Sequence, residues 1–178
     1  SMAKKTGRPV KLMLTRYEDS VMAGNKPSAK MQVKVGAKRD GTLTAIYAKV
    51  QNGPGHTGGS SVAEPFFAHY DCPNVKIEEQ NVFINSGASR AFRAPGRPQG
   101  SFGLEMALDD LAQKLEIDPY ELRSRNLSGT TYKAVPYEFQ LGAERFGWKT
   151  KYQKRGSQTG RIRRGIGCAV TTWGSTGS

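Results

Sequence analysis

An α+β fold, a two-layer sandwich of a mixed, largely antiparallel sheet packed against helices, follows from three observations on this 178-residue chain. Segments that alternate apolar and polar residues occupy the first half. Segments with a helical period occupy the second, and a stretch rich in Gly, Pro and Arg at 85–100 separates the two. No internal repeat interrupts this order.

The first alternating segment is Val10-Lys11-Leu12-Met13-Leu14-Thr15, which predicts a half-buried strand. Thr15 then opens a short helical turn through Asp19, with Glu18 three residues on as in a capping box. After a polar loop at 23–28, residues 29–35 place Met31, Val33 and Val35 on one face and basic residues on the other. Arg39-Asp40-Gly41-Thr42 carries the Asp-Gly signature of a tight turn, so residues 43–50 return as an antiparallel partner. A Gly-rich loop at 51–61 precedes a short helix at 62–70, and residues 75–84 alternate as a fourth strand.

Residues 85–100 read as irregular. From Ser101 the spacing of Phe102, Leu104, Glu105, Met106, Leu108, Leu111, Ala112 and Leu115 predicts an amphipathic helix to about Lys114. Asp118-Pro119 is a cap followed by a first-turn proline, opening a helix over 119–127 that buries Leu122 and Leu127. A third helix covers 136–146. Residues 149–164 read as a basic linker, and 165–173 as a strand with nothing after it to pair with. The expected organisation is therefore a remnant of an expression tag at 1–3, one domain at 4–148, the linker, and the first strand of a truncated segment at 165–178.

Hydrophobic residues at 37% and charged residues at 24% exclude a disordered polymer, and no window supplies the roughly 20 apolar residues of a membrane span. Cys72 and Cys168 show no metal-ligand spacing, which predicts a reducing compartment, the cytoplasm. The net charge is +12 and uneven: residues 1–50 carry 11 Lys/Arg against 3 acids, and residues 151–178 carry 6 against none. A basic nucleic-acid-binding module and a noncatalytic scaffold domain are the alternatives that charge keeps open, although RNP, KH and zinc signatures are missing.

Chemistry points to the 85–100 loop. Its glycines permit close backbone approach, the following helix offers free N–H groups, and Arg90, Arg93 and Arg97 favour an anion. An ordinary strand-to-helix connection is the competing reading. The loop is neither GxGxxG nor a Walker loop. His56 and His69 stand alone and read as surface or structural histidines rather than ligands.

Several motifs, in order, resemble one family. Gly7-Arg8-Pro9-Val10 with Thr15-Arg16-Tyr17-Glu18-Asp19 is similar to an opening in the molybdenum-binding (large) subunit of the xanthine dehydrogenase/aldehyde oxidase family. The likeness continues at Tyr70-Asp71-Cys72-Pro73-Asn74 and is strongest at Ala91-Phe92-Arg93-Ala94-Pro95-Gly96-Arg97-Pro98-Gln99-Gly100, where the family has AFRGFGGPQG. Asp118-Pro119-Tyr120-Glu121-Leu122-Arg123, Gly147-Trp148 and Arg164-Gly165-Ile166-Gly167 complete it.

The resemblance implies an excised molybdopterin-binding domain of an oxidoreductase that hydroxylates N-heterocycles or aldehydes with oxygen from water. It implies a molybdenum–pterin cofactor, as molybdopterin or its cytosine dinucleotide, with iron–sulfur clusters and FAD on partner domains or subunits. The implied partners are the remainder of the subunit, those clusters and flavin, and a small-molecule substrate, with no membrane and no nucleic acid. Ala91, Phe92, Arg93 and Gly96 match the turn whose backbone lies against the cofactor, with no direct protein ligand to the metal. Pro95 matches a position that packs on substrate and Pro65 one that is basic in purine-hydroxylating members, so both depart from the xanthine pattern. The family's general-base glutamate belongs to a later region, so no catalytic residue is expected here and the isolated chain is expected to be inactive.

Overall fold

The computed structural model describes residues 1–56, 58–59, 61–127 and 133–172. Its elements are α1 (Met2–Thr6), α2 (Arg16–Met22), β1 (Ser28–Ala37), β2 (Leu43–Gly53), α3 (Glu64–Ala68), β3 (Val75–Asn81), α4 (Arg97–Leu115), α5 (Pro119–Asn126), α6 (Val135–Phe146) and α7 (Trp148–Lys151). The sheet runs β1-β2-β3 and is mixed: β1 pairs antiparallel with β2, and β3 pairs parallel with it. Helices cover one face, which is the α+β two-layer arrangement expected.

The β1–β2 hairpin forms where alternation and Asp-Gly placed it. The Gly41 N–H donates to the Lys38 carbonyl at 3.0 Å, with Gly41 at φ 90°, a value glycine adopts without strain. In register, Met31 faces Val50, Val33 faces Ala48 and Val35 faces Ile46. These inward side chains meet Phe66, Leu104, Leu108, Ala112, Leu122 and Leu127 from α3, α4 and the α5 end in one continuous core. Gly103 lets α4 approach β1, since a Cβ there would stand 2.9 Å from Met31 Cε. Asn126 locks the layers together: its Oδ1 accepts from the Leu43 N–H at 2.9 Å and its Nδ2 donates to the Gly41 carbonyl at 2.9 Å.

Two expected strands are absent. Residues 10–15 are extended but pair with no strand among the described residues, and Leu12 is 79% exposed. Alternation fixes which side chains share a face, whereas a strand exists only by laddering to a neighbour. Residues 165–172 are likewise extended without a ladder, and Trp173 lies outside the described residues. The α4 helix also begins four residues earlier than its apolar period. Gly96 takes a left-handed N-terminal position (φ 76°) and Pro98 sits in the first turn, where its missing N–H costs nothing. Phe102 and Met106, placed on the apolar stripe by spacing, are instead exposed, and Gly100 and Ser101 are buried. The Thr15–Glu18 capping box forms as read, with both reciprocal bonds present.

Below the apolar core lies one charged cluster. Arg123 on α5 is 0% exposed and donates through Nε to Glu105 on α4 at 2.7 Å, through Nη2 to the Glu105 carbonyl at 3.0 Å, and to Asp109 at 2.8 Å. The Tyr70 hydroxyl donates to the same Glu105 carboxylate at 2.6 Å. Removing one partner strands a buried charge. Glu105→Gln and Arg123→Met should each cost about 3–5 kcal/mol in urea unfolding, whereas the Glu105→Leu/Arg123→Met double variant should recover a large part of that loss. Additive costs would show that the two residues do not act as a pair.

Candidate functional site

The loop entering α4 is built by close backbone approaches on three sides. Arg90 donates its N–H to the Asn25 carbonyl at 3.0 Å, and Gly24 (φ 90°) leaves no room for a Cβ beside the Arg90 side chain. Gly55 (φ 93°) is pressed in the same way against the Gly87 carbonyl. Gln99 reaches back to the Pro27 carbonyl at 2.8 Å. At the start of α4, Gly96 lies against the Ser61 carbonyl and Gly100 against that of Val62, so side chains at either position would overlap backbone. Glu79 of β3 anchors that backing segment: it accepts from the Val62 N–H and the Ser61 hydroxyl, each at 2.7 Å.

So held, the chain turns sharply at Arg93 and Ala94, two consecutive non-glycine residues with positive φ (20° and 57°). Lys26 braces the turn by donating to the Arg93 carbonyl at 2.9 Å while its ammonium lies 5.3 Å from the centre of the Phe92 ring. Ala91, Phe92 and Arg93 are exposed, and their backbone N–H groups have no acceptor among the described residues. A row of exposed residues whose N–H groups lack acceptors among the described residues, on a braced turn, fits a ligand rich in acceptors.

Beside the turn runs an open groove of about 640 Å³. Its floor is α4 (Pro98, Ser101, Phe102, Met106); Phe92, Arg93 and Ala94 form one wall and residues 168–172 the other. Of the residues singled out by sequence, Phe92, Arg93 and Arg97 line this groove. Gly96 is buried beneath the turn, and Ala91 and Pro95 are exposed outside the lining. Pro65 is buried between α3 and α4, where it packs on Gly100, and it does not reach the groove. The three loop arginines do not converge: Arg97 lines the groove but pairs with Glu64 at 2.7 Å, so Lys26 and Arg93 are the cations of the lining with no carboxylate partner among the described residues. Cys168 lines the far wall, where burial pushes its thiol up to about 11 against the opposing charge of Arg123. Such a thiol is unreactive at neutral pH. Among the described residues no cluster of His, Cys, Asp or Glu is arranged to hold a metal ion.

Residues 1–127 match the family described as "Molybdopterin cofactor-binding domain". The chain belongs to that family. It is 29% identical to the "Xanthine dehydrogenase molybdenum-binding subunit" of Escherichia coli O157:H7, over 97% of this chain and 25% of that protein. It is 32% identical to the "Aldehyde oxidoreductase" of Megalodesulfovibrio gigas, over 97% of this chain and 21% of that protein. Among solved structures, the aldehyde oxidoreductase from Desulfovibrio gigas aligns with a TM-score of 0.65 at 27% identity, covering 85% of this chain and 19% of that one. Quinoline 2-oxidoreductase from Pseudomonas putida 86 shares the fold, with a TM-score of 0.67 at 20% identity over 84% of this chain and 22% of that one. The chain thus spans a quarter or less of the length of these relatives.

Within this molybdopterin cofactor-binding domain, sequence reading misses the surroundings of two residues near the start of α4. Arg97 reads as one of three anion-binding arginines, and His69 as a lone surface or structural histidine, with no sign of its unpartnered burial. His69 is 1% exposed at the end of α3, and neither ring nitrogen has a partner among the described residues. Burial, with the nearby positive charge of Arg97, holds its pKa down at about 4. His56, by contrast, bonds the Ser86 carbonyl at 3.0 Å, a structural role as read.

Two expected outcomes follow from this packing. Gly96→Ala should lose at least about 1–2 kcal/mol in urea unfolding from the left-handed backbone alone, while Gly142→Ala, in open space on α6, should lose nothing. Equal effects would dissociate the loss from the Gly96 contact. The unfolded chain protonates His69 near its ordinary value of 6.5, but the folded chain does so only near 4. Stability is therefore complete above 6.5 and falls as the pH drops towards 4, by up to about 3 kcal/mol from this residue. A His69→Leu variant should lack that part of the decline in unfolding curves recorded at pH 7, 5.5 and 4.5.

Proposed function

We propose that this chain forms one wall of the cofactor site in the molybdenum-binding subunit of a hydroxylase of the xanthine dehydrogenase/aldehyde oxidase type. The observation that carries the reading is the braced turn at 91–94, whose N–H groups lack acceptors among the described residues, inside the region that matches the cofactor-binding family. When bound, the molybdenum–pterin group supplies the redox chemistry that places a water-derived oxygen on an N-heterocycle or aldehyde.

The residues of this chain supply position. The N–H groups of Ala91, Phe92 and Arg93 would hold the cofactor by donating to its acceptor atoms, a role that fits their lack of acceptors among the described residues. Lys26 keeps the turn from relaxing, and Gly96 lets it sit against Ser61. Phe92 and the α4 side chains Phe102 and Met106 exclude water from the groove. Pro95 and Pro65 stand where the resembling purine-hydroxylating members carry an aromatic and a basic residue, and neither lines the groove, departures that favour an aldehyde or a simpler heterocycle over xanthine. The remainder of the subunit, with iron–sulfur and FAD domains or subunits, completes the enzyme in the cytoplasm. No described helix is long and apolar enough to cross a membrane.

The nucleic-acid alternative loses ground to the same geometry, because Arg97 and Arg123 are engaged in internal ion pairs. Elemental analysis of the complete protein, purified from a molybdate-fed host that makes the pterin, should give close to one molybdenum per chain. A value near zero, with a relative loading normally alongside, would overturn the reading.

A further inference from the structure

The 168–172 wall of the groove is not held by a sheet or by apolar packing alone. It is held by a polar stripe on α4 whose members recur every fourth residue and so share one helix face. Arg97 donates through Nη1 to the Thr172 carbonyl at 2.7 Å, with the Thr172 hydroxyl at 3.4 Å. Ser101 and Thr171 share a hydroxyl–hydroxyl bond at 3.0 Å, and the Val170 backbone lies beside the Glu105 carboxylate, favouring its charged form. Arg97, unlike Ser101, reaches a further segment with its second arm. Its Nη2 lies 2.7 Å from Glu64 Oε1, and only 15% of its side chain is exposed.

One guanidinium therefore ties the first residue of α3, the first residue of α4 and the free-standing wall at a single point. It does so immediately after Gly96 and three residues beyond the donor turn. Guanidinium geometry suits this work: two nitrogens aim in fixed directions, which an ammonium does not reproduce.

We infer that Arg97 is a positioning residue of the candidate site, fixing the 168–172 wall over α4 and thereby setting how closely the groove holds a small substrate. The effect on substrate rests on the proposed function. The hold on the wall does not.

Hydrogen exchange followed by mass spectrometry on the full chain separates the two. In Arg97→Gln, the buried Val170 amide, which lies against the Glu105 carboxylate, should exchange roughly 10–100-fold faster, the loss expected of a charge-assisted bond, while the β2 amides of Ala48 and Val50 keep their wild-type protection. Glu64→Gln should do the same to a smaller extent, and Arg97→Lys should fall between wild type and Arg97→Gln. In the complete enzyme at unchanged molybdenum content, Arg97→Gln should raise KM several-fold with kcat within about two-fold. Unchanged exchange at Val170, or equal acceleration in β2, would overturn the inference, because Arg97 would then be inert or merely structural. An unchanged KM in a molybdenum-replete Arg97→Gln enzyme would overturn it as well. Absence of molybdenum from the wild type would remove the proposed function, leaving the exchange result to decide what Arg97 holds.

Discussion

The architecture depends on the charge buried at Arg123. A guanidinium with no exposed surface cannot be left without partners, and this one collects the Glu105 carboxylate, the Glu105 and Pro119 carbonyls and Asp109. Burial opposes ionisation of Arg123, but Glu105 and Tyr70 more than compensate, so its pKa stays above the ordinary value and the group stays charged. Burial likewise lifts the Glu105 carboxyl, against the pull of Arg123 and of the bonds from Tyr70 and Arg123. The cluster fixes α5 on α4, the segment after α3 on α4, and Val170 on α4. An all-apolar substitute of equal volume would hold the same elements together without setting their register so narrowly.

With α4 fixed in this way, its first turn becomes the reference for the candidate site. The stripe Arg97, Ser101 and Glu105 runs from the donor turn to the buried pair, so the groove wall and the core cluster are consecutive parts of one polar line. Gly96 and Gly100 face the backing segment from the same turn, which is why α4 can press on Ser61 and Val62 at backbone distance. A shift of α4 along its axis would break the core pair and open the groove together. Stability and site geometry share one helix here.

Much of this was legible where the signal is local. The hairpin followed from Met31, Val33 and Val35 opposite the Asp-Gly turn, and α5 from Asp118-Pro119, whose carboxylate does cap the Tyr120 N–H at 2.7 Å. The donor turn was found through its motif, although that motif could not say which way the arginines point. Arg97 looked like its neighbours in sequence, and its partners Glu64 and Thr172 lie 33 and 75 residues away. Polar contacts at such separations leave no period to read. Residues 165–172 failed as a strand for the same reason: their apolar pattern is real, but what holds them is a helix face recognised through Arg97, Ser101 and Glu105. Phe102 and Met106 were misplaced because Gly100 and Ser101, small and weakly apolar, took the buried positions.

The net charge of +12 invites a site built from cations, yet the groove is arranged otherwise. Arg97 and Arg123 are consumed internally, and Lys154 pairs with Glu116 at the surface. Lys30, Lys34, Lys49 and Lys76 project from the solvent face of the sheet, remote in register from the inward residues that meet α4. Lys26, one of the two cations left at the groove, is occupied in bracing the Arg93 carbonyl. What the turn offers a ligand is a set of oriented main-chain donors, and these depend on backbone path rather than on side-chain identity. Such a site tolerates replacement at Ala91 or Phe92 better than any change that alters the path at Ala94 or Gly96. A charge-based search of the sequence therefore leads to this candidate loop for an incomplete reason: the arginines mark it, but the glycines and the braced turn are what give it the geometry proposed for a site.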